Sequence, residues 1–440
     1  MSRKVFISFL GTNNYLQTHY KLNGVVSKSV RFVQDALTDF ICKDWSEDDI
    51  IIIFYTEGDM GSKVTNWLDN GQTRIAENGQ LEKIGLKSVL ESKKLLPKIE
   101  DYPISEGFSE KEVWNIFDTV YDKLQKDDEI YFDITHAFRS IPMFSTVLFN
   151  YSHVMKNTNI IAVYYGAFEK LGPVYKVKEV DLEKRIAPIV NLTNVVRLQE
   201  YSDMASSLTT FGRIKGISKV LTNENSELRK PVISLCNSID DFDNYLIANR
   251  MEDIKSGKCI TSIRGNIKAI RKLDIPTPIK NVIQKLEEEI QNFKSEDSFD
   301  NVEAAIDWAV RYKMLPQAYT MGQEYIISLL AELFTDENPF LDKDKKDRDK
   351  KFRMFISSLC SINEKYLNEN KLEGILSKDK DVVLKLLKNE KIIRIRKFFP
   401  RLGEYRNTVN HAKGTIDYSV LEKSFNDPYR ECLSIIKSIC

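Results

Sequence analysis

The 440-residue sequence predicts an α/β domain with a doubly wound parallel sheet over residues 1–180, followed by an all-α region over residues 181–440. Short runs rich in β-branched residues alternate with helix-period stretches in the first part, which is typical of strands joined by helical crossovers. After residue 181 we find helical patterns. The charged and hydrophobic fractions, 29% and 42%, are those of a globular protein and exclude a disordered chain.

Short apolar runs predict the strands of the first domain at residues 4–10, 49–55, 129–135 and 160–166. A further run at 174–180, after Pro173, is predicted to close the sheet. Helix-period stretches lie at 27–43, 109–125 and 140–156. Ser109 and Glu112 fit a capping box and predict a helix start.

Helical patterns in the second part cover residues 195–211, 278–293, 302–315, 317–334 and 379–399. The mixed-charge stretch 342–351 is expected to form a solvated loop or the start of a helix.

Composition excludes several classes of protein. Lys plus Arg and Asp plus Glu both number 64, so the net charge is +0 and any nucleic-acid site must be local. We find no apolar run of the roughly 18 residues that a membrane helix needs, and residues 1–10 predict a strand rather than a signal peptide. The six cysteines are scattered and form no CxxC pair, which favours reduced thiols in a cytoplasmic protein without a structural metal.

Three loops follow strands of the predicted sheet at its carboxyl edge, where doubly wound sheets bind ligands. The candidate ligand-binding residues in these loops are Gly11, Thr12, Asn13, Asn14, Thr56, Glu57, Thr135, His136, Phe138 and Arg139. Any one such loop could be an ordinary strand-to-helix turn. Together, an imidazole and a guanidinium at a helix start suit phosphate groups or nucleobase edges. We expect a nucleotide-like anion, bound without a dinucleotide fingerprint or a P-loop, since we find neither motif.

A second candidate site lies in residues 391–413, which hold seven Lys or Arg residues against one acid, Glu404. Such a stretch can be a solvated amphipathic helix. On a helix, however, Arg406 and Asn410 are four residues apart, as are Asn407 and His411, so the four side chains share one broad face. An Arg with a His five residues later is common by chance, but this chain has only four histidines.

Motifs of the first domain resemble those of CRISPR-associated proteins with a DxTHG-type motif. They are LGTNNY at 10–15, NW at 66–67, DITHAFR at 133–139 and YYGAFE at 164–169, with Ala137 where that pattern prefers glycine. The resemblance implies a Rossmann-like CARF domain over residues 1–180. This domain would be a sensor that binds a cyclic oligoadenylate across the two-fold axis of a homodimer, with tetra-adenylate favoured and hexa-adenylate second.

The segment RNTVNH at residues 406–411 resembles the R-x4-6-H motif of HEPN ribonucleases, and residues 315–334 resemble the first core helix of HEPN domains. The resemblance implies a helical HEPN ribonuclease domain over residues 181–440, with a helical insertion around 214–300. Its catalytic residues would be Arg406, Asn407 and His411.

Taken together, the two resemblances imply a cyclic-oligoadenylate-activated, metal-independent single-stranded endoribonuclease of CRISPR antiviral defence, acting without a cofactor and leaving 2',3'-cyclic phosphate and 5'-hydroxyl ends. His411 suits proton transfer near neutral pH, and Arg406 suits a phosphate clamp. Since each chain supplies one such histidine, two chains are expected to form the catalytic site. The alternative is a non-catalytic nucleotide-binding regulator whose helical half serves in dimerisation or nucleic-acid binding. Whether the sensor domain also degrades its ligand stays open.

Overall fold

A computed structural model of the chain describes residues 2–69, 74–75, 81–82, 84–136, 141–196, 198–213, 226–362, 372, 374–411 and 417–438. The chain divides into two compact units, Met1–Gln199 and Glu200–Cys440. Each unit is described by itself.

The first unit is built on a mixed, mainly parallel β-sheet. Its strands are β1 (Lys4–Phe9), β2 (His19–Leu22), β3 (Val25–Val26), β4 (Ile50–Thr56), β7 (Lys98–Ile104), β8 (Glu129–Asp133), β9 (Asn159–Gly166) and β10 (Ile186–Asn191), and β5 (Arg74–Ile75) and β6 (Leu81–Glu82) form a separate antiparallel pair. The sheet order is β3-β2-β10-β9-β8-β1-β4-β7. Neighbours from β9 to β7 are parallel, whereas β10 is antiparallel to β9. Strands β4 and β7 lie on one side of β1, whereas β8 and β9 lie on the other, so the switch point lies between β1 and β8.

Helices cover both faces of this sheet. They are α1 (Val33–Ile41), α2 (Leu86–Ser92), α3 (Glu110–Lys123), α4 (Ile141–Lys156), α5 (Val174–Val177) and α6 (Thr193–Val196), and α7 (Leu198–Phe211) leads into the second unit. Strand β4 is buried at every position; Ile51 and Ile53 join the core on one face, whereas Ile50 and Ile52 join the core on the other. The α/β prediction for the first part of the chain is confirmed.

The capping box predicted at α3 is present in a modified form. The Glu112 backbone N–H donates to the Ser109 hydroxyl at 3.3 Å. The Glu112 carboxylate accepts from the backbone N–H groups of Gly107 and Phe108, both at 3.0 Å. Two backbone donors before the helix are thereby satisfied, which fixes where α3 begins.

The prediction that residues 174–180 form the closing strand is wrong. Pro173 has φ −66° and ψ 145° and precedes α5, because its fixed φ suits the start of a helix and its ring cannot donate to a sheet. The sheet is instead extended by β10, whose Ile189 pairs with Gly166 of β9 and whose Ala187 pairs with Tyr20 of β2.

In the described part of the second unit the regular elements are helices, and the all-α prediction is confirmed. They are α8 (Ser226–Ile247), α9 (Met251–Lys255), α10 (Lys258–Ile270), α11 (Thr277–Glu289), α12 (Phe299–Arg311), α13 (Leu315–Leu333), α14 (Lys345–Ser361), α15 (Lys380–Leu387), α16 (Glu390–Ile395), α17 (Phe399–Asn410) and α18 (Tyr418–Lys437). None of the described helices is long and apolar enough to cross a membrane.

Two helix starts in this unit are set by side-chain caps. Asp344 caps α14 by accepting from the Asp347 N–H at 3.2 Å, which confirms the helix start predicted in the mixed-charge stretch. Asn389 caps α16 by accepting from the Lys391 N–H at 3.0 Å. The single helix predicted over 379–399 is therefore divided into α15 and α16.

Helix α13 lies at the centre of the second unit. Its Tyr319 is fully buried against Phe425 of α18, with ring centroids 5.1 Å apart. A β-carbon at Gly322 would meet the Phe425 ring at 2.8 Å, so glycine is required for this close packing. Tyr319 also stacks on Tyr405 of α17 at 6.3 Å, which anchors α17 against α13.

Candidate functional site

A cavity of about 400 Å³ lies at the carboxyl edge of the first unit's sheet, next to the switch point. It is lined by Asn13, Asn14, Tyr15, Leu16, Tyr20, Thr135, His136, Tyr165, Gly166, Phe168, Glu169 and Val174. Most of the lining comes from the end of β9 and from the loops that follow β1, β8 and β9, where open α/β sheets bind ligands. Its volume falls in the range of about 300–1,000 Å³ that is typical of small-molecule sites.

The loop after β1 is held by a buried amide. Asn66 donates from Nδ2 to the Gly11 carbonyl at 2.7 Å and to the Asn13 carbonyl at 3.1 Å. Its Oδ1 accepts from the Arg31 guanidinium at 2.8 Å. Arg31 also donates to the Ile84 carbonyl at 3.2 Å. Asn66 and Arg31 thus fix the backbone that presents Asn13 to the cavity.

The turn after β8 is built by Asp133 and Thr135. Asp133 is fully buried and accepts from the Ser8 hydroxyl at 2.7 Å, the Thr135 N–H at 3.0 Å and the Thr135 hydroxyl at 2.5 Å. Burial raises the pKa of Asp133, although these hydrogen bonds act to lower it. The Thr135 hydroxyl in turn accepts from the Gly166 N–H at 2.8 Å. Thr135 therefore joins β8 to β9 as well as lining the cavity.

His136 follows directly and presents an uncharged ring. Its ring centroid lies 4.1 Å from that of Tyr15, at an interplanar angle of 34°. Its Nε2 is buried and has no hydrogen-bond partner among the described residues. Burial lowers the pKa of His136 to about 3, so the imidazole is neutral at physiological pH. A neutral ring offers one donor and one acceptor, which suits a nucleobase edge.

The far wall of the cavity is aromatic and carries one carboxylate. The Tyr165 hydroxyl donates to the Glu169 carboxylate, and burial together with this bond raises the pKa of Tyr165 to about 12. Among the described lining residues we find no Lys or Arg. The described walls therefore suit a base and a ribose better than they suit a phosphate.

Four of the predicted ligand-binding residues line this cavity together: Asn13, Asn14, Thr135 and His136. Gly11 and Thr12 lie in the same loop but are not among its lining residues. A β-carbon at Gly11 would meet the His136 carbonyl oxygen at 3.1 Å, so glycine allows the two loops to approach closely. Phe138 and Arg139 lie outside the described residues.

Thr56 and Glu57 are not brought to the cavity. Thr56 is buried, and its hydroxyl accepts from the Ser62 N–H at 3.1 Å, which closes the turn after β4. Glu57 is exposed and pairs with Lys63 at 2.8 Å. Both side chains therefore act locally in their own turn.

Several lining residues were not among the predicted ligand-binding residues. Tyr15, Tyr165, Gly166, Phe168 and Glu169 belong to the LGTNNY and YYGAFE motifs, so the sequence did carry a signal for them. Leu16, Tyr20 and Val174 had no such signal, because their place at the cavity depends on the path of β2 and α5.

The second candidate site is the last turn of α17. Asn407, Asn410 and His411 are exposed, and Arg406 is half-buried. The backbone N–H of His411 donates to the Asn407 carbonyl at 3.0 Å, so His411 is the C-cap residue of α17. The Asn410 amide donates to the Thr320 hydroxyl of α13 at 3.3 Å. The four predicted residues thus belong to the C-terminal end of one helix, where three of them are exposed.

The basic stretch around this helix is partly structural. Lys391 donates to the Ile436 carbonyl at 2.9 Å, and Arg396 donates to the Ile362 carbonyl at 2.9 Å. Arg394, Lys397 and Arg401 are exposed. Phe399 is fully buried in the core, so it cannot stack on a base. Among the residues that the structure describes, no three His, Cys, Asp or Glu side chains are placed to hold a metal ion.

Comparison with known proteins gives one informative relative. We find no protein-family model that matches the sequence. The chain is 30% identical over 235 residues, 52% of its length, to CRISPR-associated protein MJ1674 of Methanocaldococcus jannaschii, and the match covers 34% of that protein. The predicted resemblance to CRISPR-associated proteins is confirmed by this similarity. The structure of Enterococcus italicus Csm6 bound to cyclic hexa-2'-fluoro-hexa-dAMP aligns with 99% of this chain and 94% of its own, with a TM-score of 0.46 and 12% identity.

Proposed function

We propose that the protein is a CRISPR-associated CARF-HEPN endoribonuclease that cuts single-stranded RNA when a cyclic oligoadenylate binds its first domain. The observation that carries this proposal is the end of α17, which holds Arg406, Asn407 and the exposed His411. A binding module has no need of His411. Similarity to a CRISPR-associated protein supports the same function.

RNA supplies its own nucleophile, the ribose 2'-hydroxyl. In the proposed reaction a His411 ring accepts the proton of that hydroxyl, the 2'-oxygen attacks the phosphorus, and the bond to the 5'-oxygen breaks. A second imidazolium donates the proton that the 5'-oxygen takes up. Arg406 stabilises the charge on the phosphate oxygens, and Asn407 orients the phosphate. The products are a 2',3'-cyclic phosphate and a 5'-hydroxyl, and no metal or cofactor is needed.

The proposed enzyme is a homodimer acting in the cytoplasm. One chain offers a single histidine at this site, whereas general acid and base act on opposite sides of the phosphate, so two copies of α17 are expected to form one site at a two-fold axis. The sensor, predicted over residues 1–180, would extend to Gln199 so as to include β10, and the ribonuclease, predicted over residues 181–440, would occupy the second unit with the helical insertion around 214–300.

The proposed activator is a cyclic oligoadenylate, tetra-adenylate before hexa-adenylate. An adenine base suits the cavity of the first unit because Asn13, Asn14 and the neutral His136 offer donors and acceptors beside aromatic rings. A dimer of sensors would double this site, which matches a ring with repeated adenosines.

The test is cleavage of a fluorogenic RNA by the purified full-length protein in excess EDTA, with and without each cyclic oligoadenylate. We expect cleavage that depends on one of the rings and persists in EDTA. If neither ring changed the rate and the His411→Ala protein cut RNA as fast as the wild type, the proposal would fail. Ring binding without any cleavage would favour the non-catalytic regulator.

A further inference from the structure

A groove of about 590 Å³ lies between α13 and α14 in the second unit. It is lined by Glu324, Ile327, Lys350, Arg353, Met354, Ser357 and Ser358. A groove of this size can hold part of a nucleotide chain.

The groove begins one helical turn from the proposed catalytic helix end. Thr320, which accepts the hydrogen bond of Asn410, shares one face of α13 with Glu324 and Ile327 at spacings of four and seven residues. At a rise of 1.5 Å per residue, Glu324 lies about 6 Å further along this face than Thr320. An RNA strand that reaches the end of α17 could therefore continue along α13 into the groove.

The groove carries an uncompensated positive charge. Arg353 donates to the Glu324 carboxylate at 2.7 Å and also to the Ser328 hydroxyl, so it is fixed in place and its charge is balanced. Lys350, one turn earlier on α14, is exposed and forms no ion pair with any residue that the structure describes. Lys350 is thus free to bind an anion such as a phosphate.

The remaining walls suit the other parts of a nucleotide. Met354 lines the groove and leaves 51% of its surface exposed, so it offers a contact for a base face. Ser357 and Ser358, one turn further on α14, are half-buried and can exchange hydrogen bonds with a ribose or a base edge.

We propose that this groove is a substrate subsite, which binds a nucleotide of single-stranded RNA next to the bond that is cut. Lys350 contacts a phosphate of that nucleotide, and Met354 contacts its base. The proposal rests on the ribonuclease function proposed above.

The experiment measures binding of a fluorescein-labelled single-stranded RNA by anisotropy at several salt concentrations. It uses the full-length protein carrying His411→Ala, so that the RNA stays intact. Adding Lys350→Gln should remove one phosphate contact. The plot of log K, where K is the association constant, against log[salt] should then fall less steeply, by about 0.7 in slope, and binding at 0.1 M salt should weaken about fivefold. Adding Met354→Gln should weaken binding by a factor that does not depend on the salt concentration, so the slope should stay unchanged.

Lys345→Gln is the matched control. Lys345 is exposed on the same helix but does not line the groove, so both affinity and slope should stay unchanged. If Lys350→Gln behaved like Lys345→Gln, the subsite would be wrong even though the wild-type protein cut RNA. If the wild-type protein did not cut RNA, the ribonuclease function itself would be wrong, which is a separate outcome.

Discussion

The neutral state of His136 decides what the described walls of the cavity can recognise. Since burial holds the pKa of its ring near 3, the imidazole is uncharged and suits a base edge better than a phosphate. The phosphates of the proposed cyclic oligoadenylate would then need a cation from elsewhere. Arg139, outside the described residues, follows His136 closely in the sequence and is the candidate for that contact.

The same burial predicts a pH dependence of stability. The unfolded chain binds a proton at His136 below about pH 6.5, whereas the folded chain does so only near pH 3, so stability falls as the pH drops through this window. At pH 5 the loss is at most about 2 kcal/mol, at about 1.4 kcal/mol for each pH unit. Urea unfolding of the wild type and His136→Gln at pH 7.5 and pH 5 measures it. The variant should lose less stability on acidification; parallel profiles would contradict the buried neutral ring.

Single residues were predictable where the chain direction alone places them. Asn13, Asn14, Thr135 and His136 follow parallel strands, and the carboxyl ends of such strands share one edge. Thr56 is the last residue of a parallel strand, but its local sequence does not reveal that its hydroxyl faces Ser62.

At the scale of elements, the turns after β8 and β10 have the same pattern of hydrogen bonds. Asn191 accepts from the Thr193 N–H at 2.9 Å and from the Thr193 hydroxyl at 2.5 Å, as Asp133 does with Thr135. The Thr193 hydroxyl accepts from the Val163 N–H at 2.9 Å. Strand β9 is therefore fastened on both sides by a threonine that lies two residues beyond the end of a neighbouring strand.

This pair of turns separates a structural role from a binding role. Thr135→Val and Thr193→Val each leave a backbone N–H of β9 without its acceptor, so each should cost about 1–3 kcal/mol of the free energy of unfolding. Thr135 lines the cavity and Thr193 does not. Urea unfolding and calorimetry with cyclic tetra-adenylate should therefore show similar destabilisation, with weaker ligand binding for Thr135→Val alone. Equal affinities would mean that Thr135 serves only the turn.

Elements were predictable where an apolar run is continuous, as in β4. They were missed where a strand lies at the sheet margin and mixes polar with apolar residues. Strand β7 is largely half-exposed and contains Pro103, which an edge strand tolerates but which hides the strand pattern. Strand β10 lies inside the sheet, between β2 and β9, but Pro188 within it likewise hides the strand pattern.

At the scale of the whole molecule, the cavity and the end of α17 belong to separate compact units. A substitution in the cavity should therefore weaken cyclic oligoadenylate binding alone, and a substitution at the end of α17 should slow RNA cleavage alone. His411→Ala should lower the rate of RNA cleavage by about 10²–10⁴-fold and leave the affinity for cyclic oligoadenylate unchanged. His136→Ala should shift activation to a higher concentration of cyclic oligoadenylate and leave the rate of RNA cleavage at saturation near that of the wild type.

Activation curves read with a fluorogenic RNA, together with calorimetric affinities, distinguish the two variants. A His136→Ala protein with an unshifted curve would remove this residue from the sensor. A His411→Ala protein that kept its cleavage rate would remove the end of α17 from the ribonuclease.

The Arg31–Asn66 pair also has an evolutionary consequence. One buried amide joins backbone from residues 11 and 13 to a guanidinium from residue 31, so neither side chain can change alone without leaving a buried polar group unsatisfied. Descendants of a common ancestor should therefore keep both residues or replace both together. An aligned set of such sequences should show positions 31 and 66 covarying, although they lie far apart along the chain.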